Sequence, residues 1–288
     1  MYELLIDPFL NYGFMRRAFV GGLIVSFGAV PIGIFMTLRR MSLTGDAMAH
    51  AILPGAAIAY LISGLSLFGL TVGGTLAGLV VVALAGWVAR SSHLKEDTSL
   101  AAFYLISLAL GVLVISLKQS NVDLFHVLFG NILALDDAAL SLLAFISTVS
   151  ILIMSILYRP LIIECVDSTF LRRSGNASAT AHYGFLFLMV INLVAGFHAL
   201  GTLMAIGIMV LPATAARFWA KSLDSIVFIA FFVAIFGCYL GLLMSFYFDL
   251  PSGPAIIIAM GGFCVTSILI GENGGLFRNR AQTRHLTG

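Results

Sequence analysis

Long apolar stretches constrain this chain more than any motif does. Hydrophobic residues make up 60% of its 288 residues and charged residues 10%, whereas a soluble domain carries about 25% charged residues. A helix needs about 20 mostly apolar residues to cross a bilayer, and lipid offers no partner to an open backbone group. The sequence therefore predicts an all-α, polytopic membrane protein of about 8–9 transmembrane helices. These form a single transmembrane domain over residues 1–288.

The predicted spans follow one another along the whole chain. They cover residues 15–38, 44–64, 67–89, 99–117, 138–158, 182–200, 201–216, 223–248 and 252–271. Segment 124–135 is apolar but too short to cross alone, which favours a re-entrant or interfacial helix. The span over 201–216 is short and contains Gly207 and Pro212, a composition that fits either a broken helix or tight packing.

The distribution of basic residues predicts the side of the membrane on which each loop lies. If the loop at 90–98 is cytoplasmic, alternation of the spans leaves outside the cell only Arg16, Arg17 and Lys118 of the 15 Lys and Arg residues. Because basic residues accumulate in cytoplasmic loops, we predict an external N-terminus and a cytoplasmic C-terminus. If residues 1–14 instead form an interfacial helix on the inner face, the first crossing has to be redrawn.

Asp46 and His50 form the main candidate site. They lie in the run RRMSLTGDAMAHAILPG, residues 39–55, and their i, i+4 spacing places them on one helix face about 5–6 Å apart. At 1.5 Å per residue they lie about 9–15 Å beyond Arg40, inside the bilayer. Two interpretations remain open. The pair binds a cation, which is the default for ionisable residues in a membrane. Otherwise Asp46 lies in the first turn behind a Ser or Thr cap, and His50 donates to it or to a carbonyl.

The sequence around the pair favours the cation site. Pro54-Gly55 should kink or loosen the helix one turn beyond His50, which frees backbone groups there. Because one chain supplies only two good ligands, four-coordinate binding of a divalent cation would need a symmetric dimer. Small residues that follow Asp46 allow close approach by another helix, and they are Ala47, Ala49, Ala51, Ala56, Ala57 and Ala59.

The longest polar interruption, residues 159–181, mixes apolar residues with charges of both signs. This composition is typical of a short amphipathic helix on a membrane surface, and it makes the segment the main candidate for contact with a cytoplasmic partner. An ordinary solvated loop is the alternative. Asn192 and His198 lie in or near a predicted span, where a hydrogen bond between helices is the expected role.

Missing motifs exclude several classes of function. No lysine belongs to a GxxxxGK[ST] loop, so the chain does not hold ATP through a Walker A motif, and no HExxH motif provides a zinc-protease template. An intramembrane enzyme would lack a catalytic set. If the pair binds a transported metal ion, the main alternative to an importer driven by separate ATPase subunits is an ion-coupled secondary metal carrier that works without them. Such carriers often contain inverted repeats, and none is evident by inspection.

The run at 39–55, with its core SLTGDAMAHAILPG, resembles the signature of the ABC-3 family, the membrane subunits of bacterial ABC importers for zinc, manganese and iron. In the main cytoplasmic loop, Asp167 aligns with the family's motif, whereas Phe170-Leu171-Arg172 stands in place of the usual alanine and Gly175 is offset by one position. Further matches lie at Glu96-Asp97-Thr98, Ala109-Leu110-Gly111, Leu128-Phe129-Gly130-Asn131 and Leu211-Pro212-Ala213-Thr214-Ala215-Ala216.

The resemblance implies a permease in the bacterial cytoplasmic (inner) membrane, surrounded by lipid bilayer and paired with a second copy or a close paralogue. Two ATP-binding cassette subunits would dock beneath residues 159–181, and an extracytoplasmic metal-binding protein would deliver the substrate. No nucleic acid is an expected partner. The expected residues for coupling to the ATPase are Glu164, Asp167, Arg172, Arg173 and Gly175.

The resemblance also implies the cargo and the mechanism. Asp46 and His50 correspond to the family's metal-lining pair, and the transported ion is Zn²⁺ or Mn²⁺, with Fe²⁺ as a further candidate. Zinc is weakly favoured because imidazole and carboxylate ligands are common for it. No covalently bound cofactor is expected, since ATP acts in the partner subunit and drives alternating access.

Overall fold

The computed structural model describes residues 2–64, 66–93, 96–117, 132–167 and 177–277. Within these ranges, only the backbone is described at residues 2–4, 42–43, 90, 96–97, 115–117, 177 and 198–199. Every regular element in these ranges is helical, as expected of a chain that must pair its backbone groups inside lipid.

The helices, in chain order, are α1 Tyr2–Asn11, α2 Gly13–Leu38, α3 Ser42–Ala51, α4 Leu53–Ser63, α5 Leu67–Ser91, α6 Glu96–Leu117, α7 Asp137–Val166, α8 Ala177–Leu200, α9 Thr202–Arg217, α10 Leu223–Phe248 and α11 Ser252–Ile270. A short 3₁₀ turn over Ile132–Ala134 precedes α7. It covers all but Leu135 of the described part of the predicted re-entrant segment 124–135, and residues 124–131 lie outside the described residues.

Seven helical segments in the described ranges are long and apolar enough to cross a membrane, with α3 and α4 together forming one of them. Two shorter apolar helices, Thr98–Val114 and Thr202–Arg217, correspond to the other two predicted spans. Large apolar side chains face outward on several helices, as lipid contact requires, among them Ile62, Phe68, Ile156 and Phe228. The prediction of an all-α polytopic membrane protein is confirmed.

Two ion pairs show that α2 and α7 run in the same direction. Near the start of both helices, Arg17 pairs with Asp137 at 3.3 Å. At their other ends, Arg39 pairs with Glu164. Three crossings (α3–α4, α5 and α6) separate α2 from α7 along the chain, so the parallel arrangement agrees with strict alternation of the predicted spans.

The first crossing is α2 alone, because α1 is a separate helix. Tyr12 between them is extended, with φ of −111° and ψ of 114°. α1 packs against α10, where the ring of Phe9 stacks on that of Tyr239 with centroids 5.1 Å apart and the Tyr239 hydroxyl donates to the carbonyl of Leu5. A separate helix is therefore present where the alternative interpretation of residues 1–14 placed one.

α2 lies at the centre of the bundle and packs against α7, α8, α9 and α10. The approach to α9 is so close that a Cβ at Gly33 would overlap the carbonyl oxygen of Met209. α9 is continuous despite Gly207 and Pro212, and most of its residues are buried. Tight packing rather than a break therefore explains the short span at 201–216.

The predicted loosening of the helix beyond His50 is present as a one-residue interruption at Ile52, whose backbone keeps helical dihedrals (φ −74°, ψ −27°). α3 ends at Ala51, and α4 begins at Leu53 with Pro54 in its first turn. A Cβ at Gly55 would overlap the carbonyl oxygen of Gly73 in α5, so α4 and α5 pack backbone to backbone, as small residues allow.

The predicted boundary at the cytoplasmic loop differs from the structure. α7 continues through Pro160 to Val166, eight residues beyond the predicted span end at 158, and α8 begins at Ala177. Charged residues in the last turns led the sequence analysis to end the span early. Residues 159–166 are therefore an extension of a membrane helix rather than a separate surface helix.

Candidate metal site

α3 places Asp46 and His50 on its open face. The residues between them, Ala47, Met48 and Ala49, are buried against the rest of the bundle. The Asp46 side chain is 64% exposed and the His50 side chain is 31% exposed. The i, i+4 prediction that both share one helix face is confirmed by this arrangement.

A turn separates the helix that carries the pair from the end of α2. Arg40, with a φ of 59°, turns the chain, and α3 begins only at Ser42. At 1.5 Å per residue, Asp46 and His50 lie about 6 and 12 Å along α3 from its first residue. The predicted distances of about 9–15 Å from Arg40 assumed one continuous helix from that residue, and the turn at Arg40 interrupts it.

The two side chains are close enough to share one cation but too far apart to form a hydrogen bond. His50 Nε2 lies 3.9 Å from Asp46 Oδ1, beyond the limit of about 3.2 Å for an N–H···O bond. A metal ion binds imidazole nitrogen and carboxylate oxygen at about 2.0–2.2 Å, so one ion between these two atoms can reach both. The simple donation from His50 to Asp46 that the sequence left open is not made.

His50 is held by packing rather than by a hydrogen bond to its second ring nitrogen. Its Nδ1 is buried and has no hydrogen-bond partner among the described residues. The imidazole ring lies beside that of Tyr104 in α6, with centroids 6.3 Å apart. One turn further along α6, the hydroxyl of Ser107 donates to the carbonyl of Ala51 at 2.9 Å. α6 therefore positions the end of α3 that carries His50.

A single chain supplies two side chains at this position that could bind a metal ion. In the part of the chain that the structure describes, no group of three or more His, Cys, Asp or Glu side chains is close enough to hold a metal ion. Two ligands leave a four-coordinate ion half satisfied. The open face of α3 provides the direction from which a second set of ligands can approach.

Asn192 has the structural role that the sequence predicts. Its Nδ2 donates to Ser150 Oγ in α7 at 2.6 Å and to the carbonyl of Leu188 at 2.8 Å. The prediction of a hydrogen bond between helices is confirmed for this residue. The side chain of His198 lies outside the described residues.

The predicted coupling residues are only partly within the described chain. Glu164 lies in the last turn of α7, and its carboxylate pairs with Arg39 at the end of α2 rather than facing outward. Asp167 is the first residue after α7 and is exposed. Arg172, Arg173 and Gly175 lie outside the described residues, and their role stays a prediction.

Three residues near the candidate site were not predicted to matter. Ser107 is a polar residue inside an apolar span, a signal that could have marked it as a contact between helices. Arg39 lies three residues before the start of the motif helix, but its partner Glu164 is 125 positions away and sequence spacing does not indicate the pairing. Tyr104 carries no sequence signal that separates it from other aromatic residues in the spans.

Relatives of the chain are known across most of its length. The manganese import system permease protein ScaB of Streptococcus parasanguinis is 29% identical, with 92% of this chain and 93% of the relative covered. The manganese transport system membrane protein MntC of Halalkalibacterium halodurans is 30% identical over 88% of this chain and 85% of the relative. The chelated iron transport system membrane protein YfeD of Yersinia pestis is 28% identical over 93% and 89%.

Solved structures share the fold. A chain in the structure titled PsaBC from Streptococcus pneumoniae in complex with Fab matches with a TM-score of 0.84 and 28% identity, over 97% of this chain and 100% of that one. An inward-facing putative metal-chelate type ABC transporter matches with a TM-score of 0.66 at 16% identity, over 88% and 85%, and this second likeness concerns the fold alone.

The model of the ABC 3 transport family matches residues 11–271. This range contains the Asp46–His50 motif and ten of the eleven helices. The resemblance inferred from the motif at 39–55 is confirmed, and the predicted location in the bacterial inner membrane is consistent with it. The chain therefore belongs to the ABC 3 transport family as a multi-pass membrane protein.

Proposed function

We propose that this chain is the permease subunit of an ABC importer that moves a divalent transition metal ion into the cell past Asp46 and His50. One observation carries the proposal. An acid and an imidazole stand 3.9 Å apart on the open face of a helix in a membrane span, without a hydrogen bond to each other. Ionisable residues are expensive inside a bilayer and mark ion pathways by default.

The proposed site is shared between two copies of the chain. Two-fold symmetry would bring two Asp46 carboxylates and two His50 imidazoles together and provide four ligands for one ion. The exposure of both side chains on α3 supports this arrangement. Equilibrium binding to the purified permease should give one ion per two chains, and one ion per chain would contradict the shared site.

Manganese is the first candidate for the cargo. The relatives described above are named for manganese and iron, and a carboxylate–imidazole set suits Mn²⁺, Fe²⁺ and Zn²⁺ without selecting strongly among them. The weak preference for zinc from ligand chemistry stays a prediction. Uptake of radioactive Mn²⁺ is measured in the presence of excess Zn²⁺ or Fe²⁺, and uptake of radioactive Zn²⁺ or Fe²⁺ in the presence of excess Mn²⁺. The two experiments give the order of preference among the three ions.

The proposed mechanism is ATP-driven alternating access. An extracytoplasmic binding protein releases the ion to Asp46 and His50, and separate ATP-binding cassette subunits rearrange the helices through residues 159–181 to open the path inward. The orientation follows the positive-inside rule. Arg39 and Arg217 lie at the same end of the bundle, where Arg217 Nη1 donates to the carbonyl of Thr37 at 3.0 Å, and we place this end in the cytoplasm.

An ion-coupled secondary carrier remains the competing function. It would use the same acid–imidazole pair without any ATPase. Membership of the ABC 3 transport family favours the ABC importer. Purification of the tagged chain from its native membrane separates the two: an ATPase that copurifies supports the importer, and metal uptake driven by an ion gradient in vesicles of the chain alone contradicts it.

The Asp46–His50 assignment is tested by substitution. Asp46→Ala and His50→Ala should each abolish metal uptake in cells that lack other importers of the metal, because each removes two of the four proposed ligands from the dimer. Both variants should still reach the membrane and assemble, since the side chains face outward.

His93→Ala is the matched control for the histidine variant. His93 is an exposed residue after the end of α5, and its loss should leave uptake unchanged. Wild-type uptake by both Asp46→Ala and His50→Ala would refute the assignment, and a loss in His93→Ala would show that the assay reports expression rather than transport.

A further inference from the structure

A buried ion pair joins the two helices that flank the candidate site and the predicted coupling segment. The guanidinium of Arg39, just past the end of α2, pairs with the carboxylate of Glu164 in the last turn of α7. The two side chains are only 8% and 11% exposed. Burial of two charges is costly unless they are paired, so the folded protein must keep these two side chains in contact.

The surroundings of Arg39 restrict it to this geometry. The guanidinium carbon lies 5.0 Å from the ring centre of Phe185 in α8, a cation–π contact that is strengthened where water is excluded. Arg39 Nη1 is buried without a hydrogen-bond partner among the described residues. The pair with Glu164 is thus the charge contact that holds the guanidinium in place.

The ion pair connects two functional segments by short lengths of chain. On one side, Arg39 is followed by the turn at Arg40 and then by α3, which carries Asp46 and His50. On the other side, Glu164 lies within residues 159–181. It is two residues before Val166, the last residue of α7, and three before the cap residue Asp167. A displacement of the end of α7 therefore reaches the start of α3 through one contact.

We propose that the Arg39–Glu164 ion pair is the link that transmits movement of the ATPase-coupling segment to the metal-binding helix α3. This inference rests on the proposed function. Arg39 and Glu164 are positioning residues, since neither contacts the metal-binding pair. The link makes the corner between α2 and α3 move together with the end of α7, so that the change driven by ATP alters the position of Asp46 and His50.

A purely structural role for the ion pair has a different consequence. If it served only to stabilise the bundle, its loss would reduce the amount of folded transporter without changing the number of metal ions moved per ATP. If it transmits movement, its loss would leave ATP hydrolysis running while less metal is transported. The ratio of metal uptake to ATP hydrolysis distinguishes the two roles.

The test uses the full importer in proteoliposomes, with the ATPase subunit, the binding protein and Mn²⁺ as the probe. Arg39→Gln and Glu164→Gln should each lower the ratio of Mn²⁺ taken up to ATP hydrolysed by about tenfold, an effect typical of an allosteric coupling between two sites. Arg40→Gln removes a charge at the exposed neighbouring residue, and it should leave the ratio unchanged. Arg217→Gln removes a third arginine at this corner, which contacts α2 from α9, and it should also preserve the ratio.

Two double variants keep the test decisive if the single variants fold poorly. Arg39→Met with Glu164→Met removes both charges, a change that buried ion pairs commonly tolerate without loss of stability. It should fold and still show the lowered ratio. The exchanged pair, Arg39→Glu with Glu164→Arg, should recover at least part of the ratio. A wild-type ratio in the apolar double variant would overturn the proposal.

The outcomes also separate this inference from the proposed function. If wild-type protein takes up no metal, or if Asp46→Ala transports normally, the proposed function fails. If wild-type protein transports and Asp46→Ala does not, while every Arg39 and Glu164 variant that folds keeps the wild-type ratio, only the proposed link fails.

Discussion

Two polar sites in this apolar chain differ in how far the chain itself satisfies them. Asn192 is 7% exposed, and its amide donates to Ser150 Oγ and to the carbonyl of Leu188. The Asp46 side chain is 64% exposed and that of His50 is 31% exposed; they lie 3.9 Å apart and form no hydrogen bond to each other. The first site is closed within the protein and the second is open.

The difference is the one expected between a scaffold contact and the proposed binding site. Polar groups in lipid are costly wherever they lie, and the chain can remove that cost by pairing them internally, as it does around Asn192. At α3 it does not. The open pair is what a membrane protein would keep if a second copy and a transported ion supply the missing partners.

A substitution that disturbs packing around Asn192, the closed site, should give the largest loss of stability. A Cβ at Gly28 would lie 3.0 Å from Ser147 Oγ and 3.2 Å from its Cα, and it would also crowd Asn192 Oδ1. Gly28→Val should therefore push α2 away from α7 and α8 and destabilise the protein by about 3 kcal/mol or more, at the upper end for overpacking. Thermal unfolding in detergent measures the loss.

Gly262→Val is the control for this substitution. A Cβ at Gly262 in α11 would have nothing within 4 Å, so the change in stability should be small. Equal stability of Gly28→Val and wild-type protein would mean that the cluster around Asn192 is not closely packed, and the comparison with the open site would lose its basis.

The same replacement at both sites should give opposite results. Asn192→Leu removes two hydrogen bonds and should lower the free energy of unfolding by about 1 kcal/mol, the size found for polar contacts between membrane helices, while uptake per folded transporter is kept. His50→Leu should change stability less than Asn192→Leu does, because His50 makes no hydrogen bond to Asp46 and leucine can keep the apolar contact with Tyr104, and it should abolish uptake.

Unfolding curves and metal uptake are measured on both variants, normalised to folded protein. The comparison fails if Asn192→Leu loses uptake per folded molecule, or if His50→Leu destabilises the protein as much as Asn192→Leu does. Either result would mean that the site around Asn192 does not serve stability alone, or that the site at His50 does not serve transport alone.

The sequence predicted every span, and it predicted some boundaries, such as those of α10 at residues 223–248, but not the end of α7. The length of each apolar stretch is a local property, and every predicted span corresponds to a helix. The break at Pro54 was also predictable, because proline lacks an N–H group. The extension of α7 to Val166 was not, because the charge of Glu164 signals a loop until its partner Arg39 is known.

The candidate site was predictable for a similar reason. Asp46 and His50 lie four residues apart, and their shared face follows from helix geometry alone. Tyr104 and Ser107 come from α6, more than 50 positions along the chain, and their contacts depend on how α3 and α6 pack. The start of α3 at Ser42 depends on the turn at Arg40, which local sequence does not specify.

The smallest predicted effect concerns Ser107, which belongs to the scaffold but contacts the residue next to His50. The Ser107 hydroxyl donates to the carbonyl of Ala51, next to His50 and to the break that Pro54 introduces. Ser107→Ala should cost about 0.6 kcal/mol, the mean for such contacts in membranes. If the lost hydrogen bond lets α3 shift and the same free energy is lost from metal binding, the apparent affinity for Mn²⁺ in uptake should weaken by about threefold, since 1.4 kcal/mol corresponds to a factor of ten.

Ser155→Ala provides the comparison for this variant, because Ser155 is exposed and its hydroxyl donates to the carbonyl of Ile151 within its own helix. Its apparent affinity for Mn²⁺ should equal that of wild-type protein. If Ser107→Ala also matches wild-type protein in affinity but unfolds more easily, the contact belongs to the scaffold. The boundary of the open site would then lie between His50 and Ala51, and α6 would stabilise α3 without affecting the Asp46–His50 pair.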